Sequence, residues 1–507
     1  MDGNLGARFL ATAASDPGAE ALVTVSVRRT YGELAERVHR LTHVLAGEGV
    51  SPGDRVGVLL RHGSEHVEAL LATLALRAVP VNLNTRFGRS ELAEVLGDSG
   101  ARLVLHEPEL RDALPRGLRT LARGAPYEAA LGAAPATPLE VPGRSGADLY
   151  VLYTGGTTGR PKGVLWRHDD LRAAALSPAD AEFAGRRVLV SCPLYHGTGQ
   201  WMALATLLAG GALLLSGMVS TKAGDLLDLA ARERASHLVV VGDAYVRPIV
   251  EALEDGPERW RLDGLTVVLS GGAPLSPSLT SRLLAQLPTT VVVDGYGATE
   301  SGGQGRHVAM AGASGPEPVD AARADARPVF TVDDDTAVLD DHLAPIAPDD
   351  PMEGWLARRG ALPIGYDHDA ERTAQTFPTV DGVRWAIPGD RARWVGARRI
   401  ELLGRGSLTV NTGGEKVHVE EVEAVLRTHP AVADAVVVGA PDDRWGEAVT
   451  AVVQARPGEV PTLDALADHC RAQLAPFKVP RRLVLVATVR RAASGKPDYR
   501  WARSTVS

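Results

Sequence analysis

Residues 148–166 read DLYVLYTGGTTGRPKGVLW. DLYVLYT is a β-rich run that stops at Thr154, and GVLW, from Gly163, is strand-like again. The stretch between them is not core material. Gly155, Gly156 and Gly159 permit positive φ and close backbone approach. Thr154, Thr157 and Thr158 supply hydroxyls and Lys162 a cation, which together make a phosphate-binding recipe at the end of a strand. The loop is not a Walker A sequence, because Lys162 does not directly follow a Gly and no Ser or Thr follows it. Composition alone leaves a flexible hairpin as the alternative.

Outward from this stretch, strands and helices alternate. TYGELAERVHRLTHVLAGEGV carries apolar residues at helical spacing, with Thr30 as N-cap and Glu33 three positions on. DRVGVLL, VPVNLN and ARLVLH read as strands; HVEALLATLALRA and ELAEVLGDSG read as helices. Downstream, RVLVSCPL, GALLLS, HLVVVG, LTVVLSGG and TTVVVDGYG are short strands, most of which run into Gly, Ser, Thr or Asp. This pattern predicts an α/β fold with parallel sheets and a site at the carboxyl ends of the strands. Residues 325–400, rich in Asp, Pro, Gly and Arg, predict a small β-rich subdomain. From His418 a new α+β segment begins, and the Gly-rich stretch near 404–414 is the expected boundary.

Composition narrows the class. The 507 residues are 45% hydrophobic and 23% charged, as in globular enzymes, and suit several subdomains. A net charge of −8 without a long basic run argues against nucleic acid as a partner. Cys192 and Cys470 form neither a disulfide framework nor a zinc site, which fits a reducing cytoplasm. The N-terminus shows no signal-peptide pattern. WMALATLLAGGALLLSG is broken by a Gly pair and reads as a buried helix and strand rather than a membrane span. Lysine occurs only at 162, 222, 416, 478 and 496, in a chain that otherwise uses Arg.

YTGGTTGRPKGV resembles the signature loop of the adenylate-forming superfamily, which comprises acyl-CoA synthetases, luciferases and peptide-synthetase adenylation domains. The superfamily's usual Ser is here Gly155. Further motifs follow in order over nearly the whole chain. SGGAPL, with Gly271, Gly272 and Ala273, resembles the adenine-side loop, and DGYGATE, Asp294 to Glu300, the central nucleotide motif with Gly295 and Gly297. The resemblance implies that Tyr296 stacks on adenine, that Thr299 contacts the α-phosphate and the acyl carboxylate, and that Glu300, with Thr157, holds Mg2+. An aromatic face for a base and hard oxygens for a hard cation are sensible chemistry. IPGD stands where the superfamily has Thr-Gly-Asp, so Asp390 would take the ribose hydroxyls, with Arg405 beside it. Ser407 replaces the usual hinge Asp or Lys. Gly413 and Gly414 match the backbone that lines the pantetheine tunnel. RRAASGKPDYR resembles the terminal catalytic loop, with its lead-in altered, and assigns Lys496 to charge neutralisation between carboxylate and α-phosphate.

PLYHGTGQW resembles the segment beside the acyl pocket. His196 would gate the carboxylate entrance or serve as an ordinary hydrogen-bonded His. No carboxylate lies between Pro193 and Trp201, which disfavours an amino acid substrate. By analogy the pocket lining includes Trp201, Val241, Gly242, Gly271, Gly272 and Gly303, whose small residues suggest a roomy pocket. The details resemble actinobacterial acyl-CoA ligases for bulky steroid- or terpenoid-type acids, from catabolism or antibiotic biosynthesis alike.

The resemblance implies an N-terminal AMP-binding domain over 1–404, made of two doubly wound α/β subdomains plus a small β-rich one. It implies a mobile α+β C-terminal domain over 405–507. The expected activity is an ATP- and Mg2+-dependent acid–CoA ligase with coenzyme A as co-substrate. A homodimer and a carrier-protein acceptor are left open, as are two rivals. One keeps a single half-reaction; the other is a nucleotide-binding regulatory protein without turnover.

Overall fold

Thr30 caps the helix Tyr31–Gly47 as its sequence predicts. The Thr30 hydroxyl accepts from the Glu33 amide at 3.2 Å, and the Glu33 carboxylate accepts from the Thr30 amide at 2.8 Å. This reciprocal pair satisfies two of the donors that a helix start leaves open. Tyr31, Leu34, Val38, Leu41 and Leu45, one apolar stripe at helical spacing, are all buried. The computed structural model describes residues 3–154, 162–176, 180–217, 222–256, 258–273, 275–312, 329–405, 409–490 and 499–506.

The chain forms two compact units. The first comprises 1–85, 96–153 and 163–404; the second comprises 86–95, 154–162 and 405–507. In the first, four parallel strands make a sheet in the order Val79–Asn82, Arg55–Leu59, Leu103–His106, Arg119–Ala122. Among the described residues a larger sheet has thirteen strands. Its parallel half runs Glu20–Val23, Ala212–Leu215, Arg187–Val190, His237–Val240, Val267–Gly271, Val291–Ala298. Every residue of Ala212–Leu215 and of His237–Val240 is buried, as expected of strands covered on both faces.

The segment predicted as β-rich is hydrogen-bonded onto this sheet. Val291–Ala298 turns back as Gly302–Met310, antiparallel, and Val329–Val332 pairs with that strand in turn. Arg399–Arg405, Asp390–Trp394, Gly354–Arg358 and Thr336–Leu339 complete that end of the order, and Arg28–Thr30, antiparallel to Glu20–Val23, forms the other edge. Gly302 makes the reversal possible: its φ is +70°, and a Cβ there would stand 2.8 Å from Ala174. The segment keeps its own small core of Phe330, Val332, Val338, Ile346, Leu356, Ala392 and Ile400.

A three-stranded sheet of Leu149–Thr154, Lys162–Arg167 and Gly365–Tyr366 flanks the glycine-rich loop. The apolar stretch at 201–217 divides into the helix Gly197–Leu208 and the strand Ala212–Leu215. No described helix is long and apolar enough to cross a membrane. Both cysteines are buried free thiols.

In the second unit, Glu415–His418, Thr409–Thr412, Gly446–Ala455 and Val432–Asp442 form a sheet, and Arg482–Val486 joins Gly446–Ala455. Helices Val419–Arg427 and Leu463–Arg471 close a core that includes Val417, Val422, Leu426, Val437 and Leu466. Lys478 lies inside this unit with its side chain 8% exposed, and its Nζ donates to Glu91 at 2.6 Å and Glu421 at 2.9 Å.

Candidate functional site

In the first unit the strand Val291–Ala298 brings most of the candidate residues together. Asp294 sits opposite Ser270 and Gly295 opposite Gly271 on the parallel neighbour. Tyr296 sits opposite Gly305 and Gly297 opposite Gly303 on the antiparallel one. The register shifts between Tyr296 and Gly297, so pairing loosens where the strand leaves the sheet. The Tyr296 hydroxyl donates to Asp390 Oδ2 at 2.7 Å, and its ring lies 5.5 Å from that of Phe330. Two residues 94 positions apart are thus joined by one side-chain contact.

The turn after the strand carries Thr299 and Glu300. Trp166 Nε1 donates to the Thr299 carbonyl at 3.1 Å, and the Tyr366 hydroxyl donates to Glu300 Oε1 at 2.8 Å. Trp166 is fully buried and packs edge-on against Trp201, with ring centroids 6.3 Å apart. Trp201 is itself 8% exposed, and its Nε1 donates to the Tyr150 hydroxyl at 3.2 Å. Tyr150 in turn donates to Gln200. Trp201 therefore belongs to a packed aromatic and polar cluster. Burial first, then the Glu300 charge, raises the Tyr366 phenol above its ordinary range, so it stays a donor.

The apolar side is built from small residues. Gly272 adopts φ +89°, and a Cβ there would stand 2.9 Å from Thr198 Oγ1 and 3.9 Å from Val241. A Cβ on Gly271 would meet the Gly295 carbonyl at 3.3 Å. Ala273 packs against the main core. The Gly242 amide, at the start of helix Gly242–Asp255, donates to Ser270 Oγ at 3.2 Å. Ser270 also hydrogen-bonds Asp294, whose carboxyl is pushed up to about 7 by burial, with the Asp243 charge adding to it. Gly303 faces Ala174, whose carbonyl lies 3.7 Å from its Cβ position. His196 is the N-cap of helix Gly197–Leu208; its ring is 4.7 Å from that of Tyr195. A Cβ on Gly197 would lie 3.9 Å from Thr299 Oγ1, so this helix begins beside the Thr299 turn.

The other candidates belong to the second unit or lie outside the described residues. Thr154 ends one strand and Lys162 begins the next. Gly155, Gly156, Thr157, Thr158, Gly159, Ser407 and Lys496 lie outside the described residues. Arg405 ends the strand Arg399–Arg405. Gly413 and Gly414 have φ of +59° and +82° and make the turn between Thr409–Thr412 and Glu415–His418. The Gly413 amide donates to the Trp445 carbonyl at 2.9 Å, and a Cβ there would stand 2.8 Å from the Trp445 ring.

Residues 9–363 match the family of AMP-binding enzymes, and residues 421–496 match the AMP-binding enzyme C-terminal domain. The chain belongs to the AMP-binding enzyme family. A medium-chain acyl-CoA ligase of Mycobacterium avium is 38% identical, over 97% of this chain and 96% of its own. A 3-oxocholest-4-en-26-oate–CoA ligase of Rhodococcus rhodochrous is 36% identical, over 96% and 93%. Among solved structures, the amide bond synthetase McbA of Marinactinospora thermotolerans superposes with a TM-score of 0.84 at 25% identity, covering 99% of both chains.

As an AMP-binding enzyme the chain contains contacts that its motifs do not announce. Trp166 was legible as part of the loop-flanking strand but not as the holder of the Thr299 carbonyl. Tyr366 and Ala174 carried no motif signal, and Thr198 lay within PLYHGTGQW without being singled out. Each acts through a contact that spans many residues of chain, which neither spacing nor periodicity encodes.

Proposed function

We propose that this AMP-binding enzyme is an ATP- and Mg2+-dependent acid–CoA ligase for a bulky hydrophobic carboxylic acid, of polycyclic terpenoid, steroid-like or fatty type. One observation carries the reading: relatives aligned along 96–97% of the chain are acid–CoA ligases by name, for a medium-chain and a steroid acid. In the first half-reaction a carboxylate oxygen attacks the α-phosphorus of ATP. The P–O bond to the acyl group forms, the bond to pyrophosphate breaks, and acyl-AMP results. In the second, the CoA thiol attacks the acyl carbon; the C–S bond forms, AMP leaves and the thiol proton is lost.

Catalysis in the first step is positioning and charge neutralisation. The loop from Thr154 to Lys162 takes the phosphates, with Gly155 in place of a hydroxyl donor. Tyr296 takes adenine, and Asp390 and Arg405 take ribose. Thr299 reaches the α-phosphate and the acid, and His196 gates the carboxylate entrance. Lys496 neutralises the charge that builds between them. Glu300 presents a hard carboxylate, braced on one oxygen by Tyr366, which fits Mg2+; Glu300, with Thr157 and the substrate phosphates, would hold the ion. When bound, the ion would offset phosphate charge. The domain over 405–507 is assigned the motion between half-reactions, pivoting near Ser407 and presenting Gly413 and Gly414 to pantetheine.

Ser407, where the superfamily has Asp or Lys, favours a second reading in which only one half-reaction is retained. Two assays separate the cases. Acid with ATP reports pyrophosphate and acyl-AMP; synthetic acyl-AMP with CoA reports thioester, both by mass spectrometry. Turnover in both assays is expected with a fatty, steroid or diterpenoid acid. Failure of the first across that panel overturns the proposal. Lys496→Ala is expected to lower adenylation at least a hundredfold, and full adenylation by that variant overturns the role of Lys496.

A further inference from the structure

Glu300 is not held by its own strand alone. Its turn is fixed from the three-stranded sheet that flanks the glycine-rich loop, through Trp166 on the Thr299 carbonyl and Tyr366 on the Glu300 carboxylate. Gly365 and Tyr366 pair with Leu165 and Val164, so both braces rise from neighbouring positions of one sheet. Tyr366 is 9% exposed. Its amide donates to Thr373 Oγ1 at 2.9 Å, and its ring lies 5.8 Å from that of Phe377. The next residue, Asp367, accepts two hydrogen bonds from Arg55 Nη2, at 3.0 and 2.8 Å. Gly365 has its Cβ position filled by Thr373, so no larger residue fits before Tyr366. The phenol is thus presented from a backbone with little freedom, while Glu300 is only partly buried.

We propose that Tyr366 is a positioning residue for the divalent cation of the reaction: its hydroxyl occupies Glu300 Oε1, leaving Oε2 as the oxygen that would take the cation. This rests on Glu300 being a metal ligand. Hydrogen bonds to ligating carboxylates commonly set metal affinity by ten- to a hundredfold. The contact removes one oxygen from competition and prepays the ordering of a flexible side chain, which favours a cation that arrives with its phosphates and retains several waters.

Calorimetric binding of a non-hydrolysable ATP analogue, in EDTA and in saturating Mg2+, tests this without turnover. The readout is the ratio of the two dissociation constants, which measures the coupling between cation and nucleotide. Tyr366→Phe is expected to leave the EDTA constant within twofold and to reduce the ratio about tenfold. A wild-type ratio in Tyr366→Phe overturns the proposal. Glu300→Gln is expected to bring the ratio close to one; a wild-type ratio there overturns the assignment of Glu300 itself, a distinct outcome. Should Tyr366→Phe not fold, Glu300→Asp keeps the charge but withdraws it from the hydroxyl. It is expected to lose the coupling, and a wild-type ratio overturns the proposal equally.

Discussion

Asp294 shows how one residue can link a strand to the start of a neighbouring helix. It receives a hydrogen bond from Ser270, whose oxygen accepts from the Gly242 amide. Burial, with Asp243 nearby, raises its carboxyl from an ordinary 3.8 to about 7. The folded state therefore holds a proton that the unfolded chain releases, and stability declines as pH rises from 3.8 through 7. Asp294→Asn keeps the shape and stays neutral. It is expected to match the wild type near pH 4 and to exceed it by about 4 kcal/mol at pH 8, read from urea midpoints. His62 and His66 act with the opposite sign. Burial lowers both from 6.5 to about 4, so protons favour the unfolded chain. Stability falls as pH drops from 6.5 to 4, and a His62→Gln, His66→Gln double variant is expected to flatten that limb of the urea profile.

At the scale of elements, the strand Lys162–Arg167 does more than end a loop. It delivers Trp166 to the Thr299 carbonyl and, through its pairing with Gly365–Tyr366, delivers Tyr366 to Glu300. Trp166→Phe preserves most of the packing against Trp201 but removes the only donor described for that carbonyl. The contact is partly buried, so the loss falls toward the low end of the about 1–3 kcal/mol that an unsatisfied buried acceptor costs. The expected result is a loss of that size in urea unfolding, with a drop in the adenylation rate larger than the change in KM for the acid. The strands on either side of the glycine-rich stretch were legible in the sequence, because strand composition is a local signal. The bracing was not, because it depends on which distant strand lies alongside.

At the scale of the whole molecule, the compact units do not follow the order of the chain. Residues 86–95 and 154–162 belong with 405–507. Lys478 is the clearest sign within that unit: it is buried between Glu91 and Glu421. Burial alone would lower its pKa, but Glu421 and Glu91 outweigh this and hold it above the usual value. Lys478→Ala would leave two carboxylates buried without their cation, a loss of about 3–5 kcal/mol. Calorimetry is expected to show a transition moved to lower temperature, and an unchanged profile would refute the role of this pair.

By itself the sequence determined the α/β class, the helix capped by Thr30, the parallel strands, and the family through its ordered motifs. These are properties of neighbouring residues, set by periodicity, capping and turn chemistry. Only the tertiary structure decided that the β-rich segment extends the large sheet, that Tyr296 meets Asp390, and that Trp166 and Tyr366 hold the Thr299–Glu300 turn. It also decided that Thr198 fills the space beside Gly272. Such contacts join residues far apart along the chain, and their geometry exists only once the sheets have fixed which strands are neighbours.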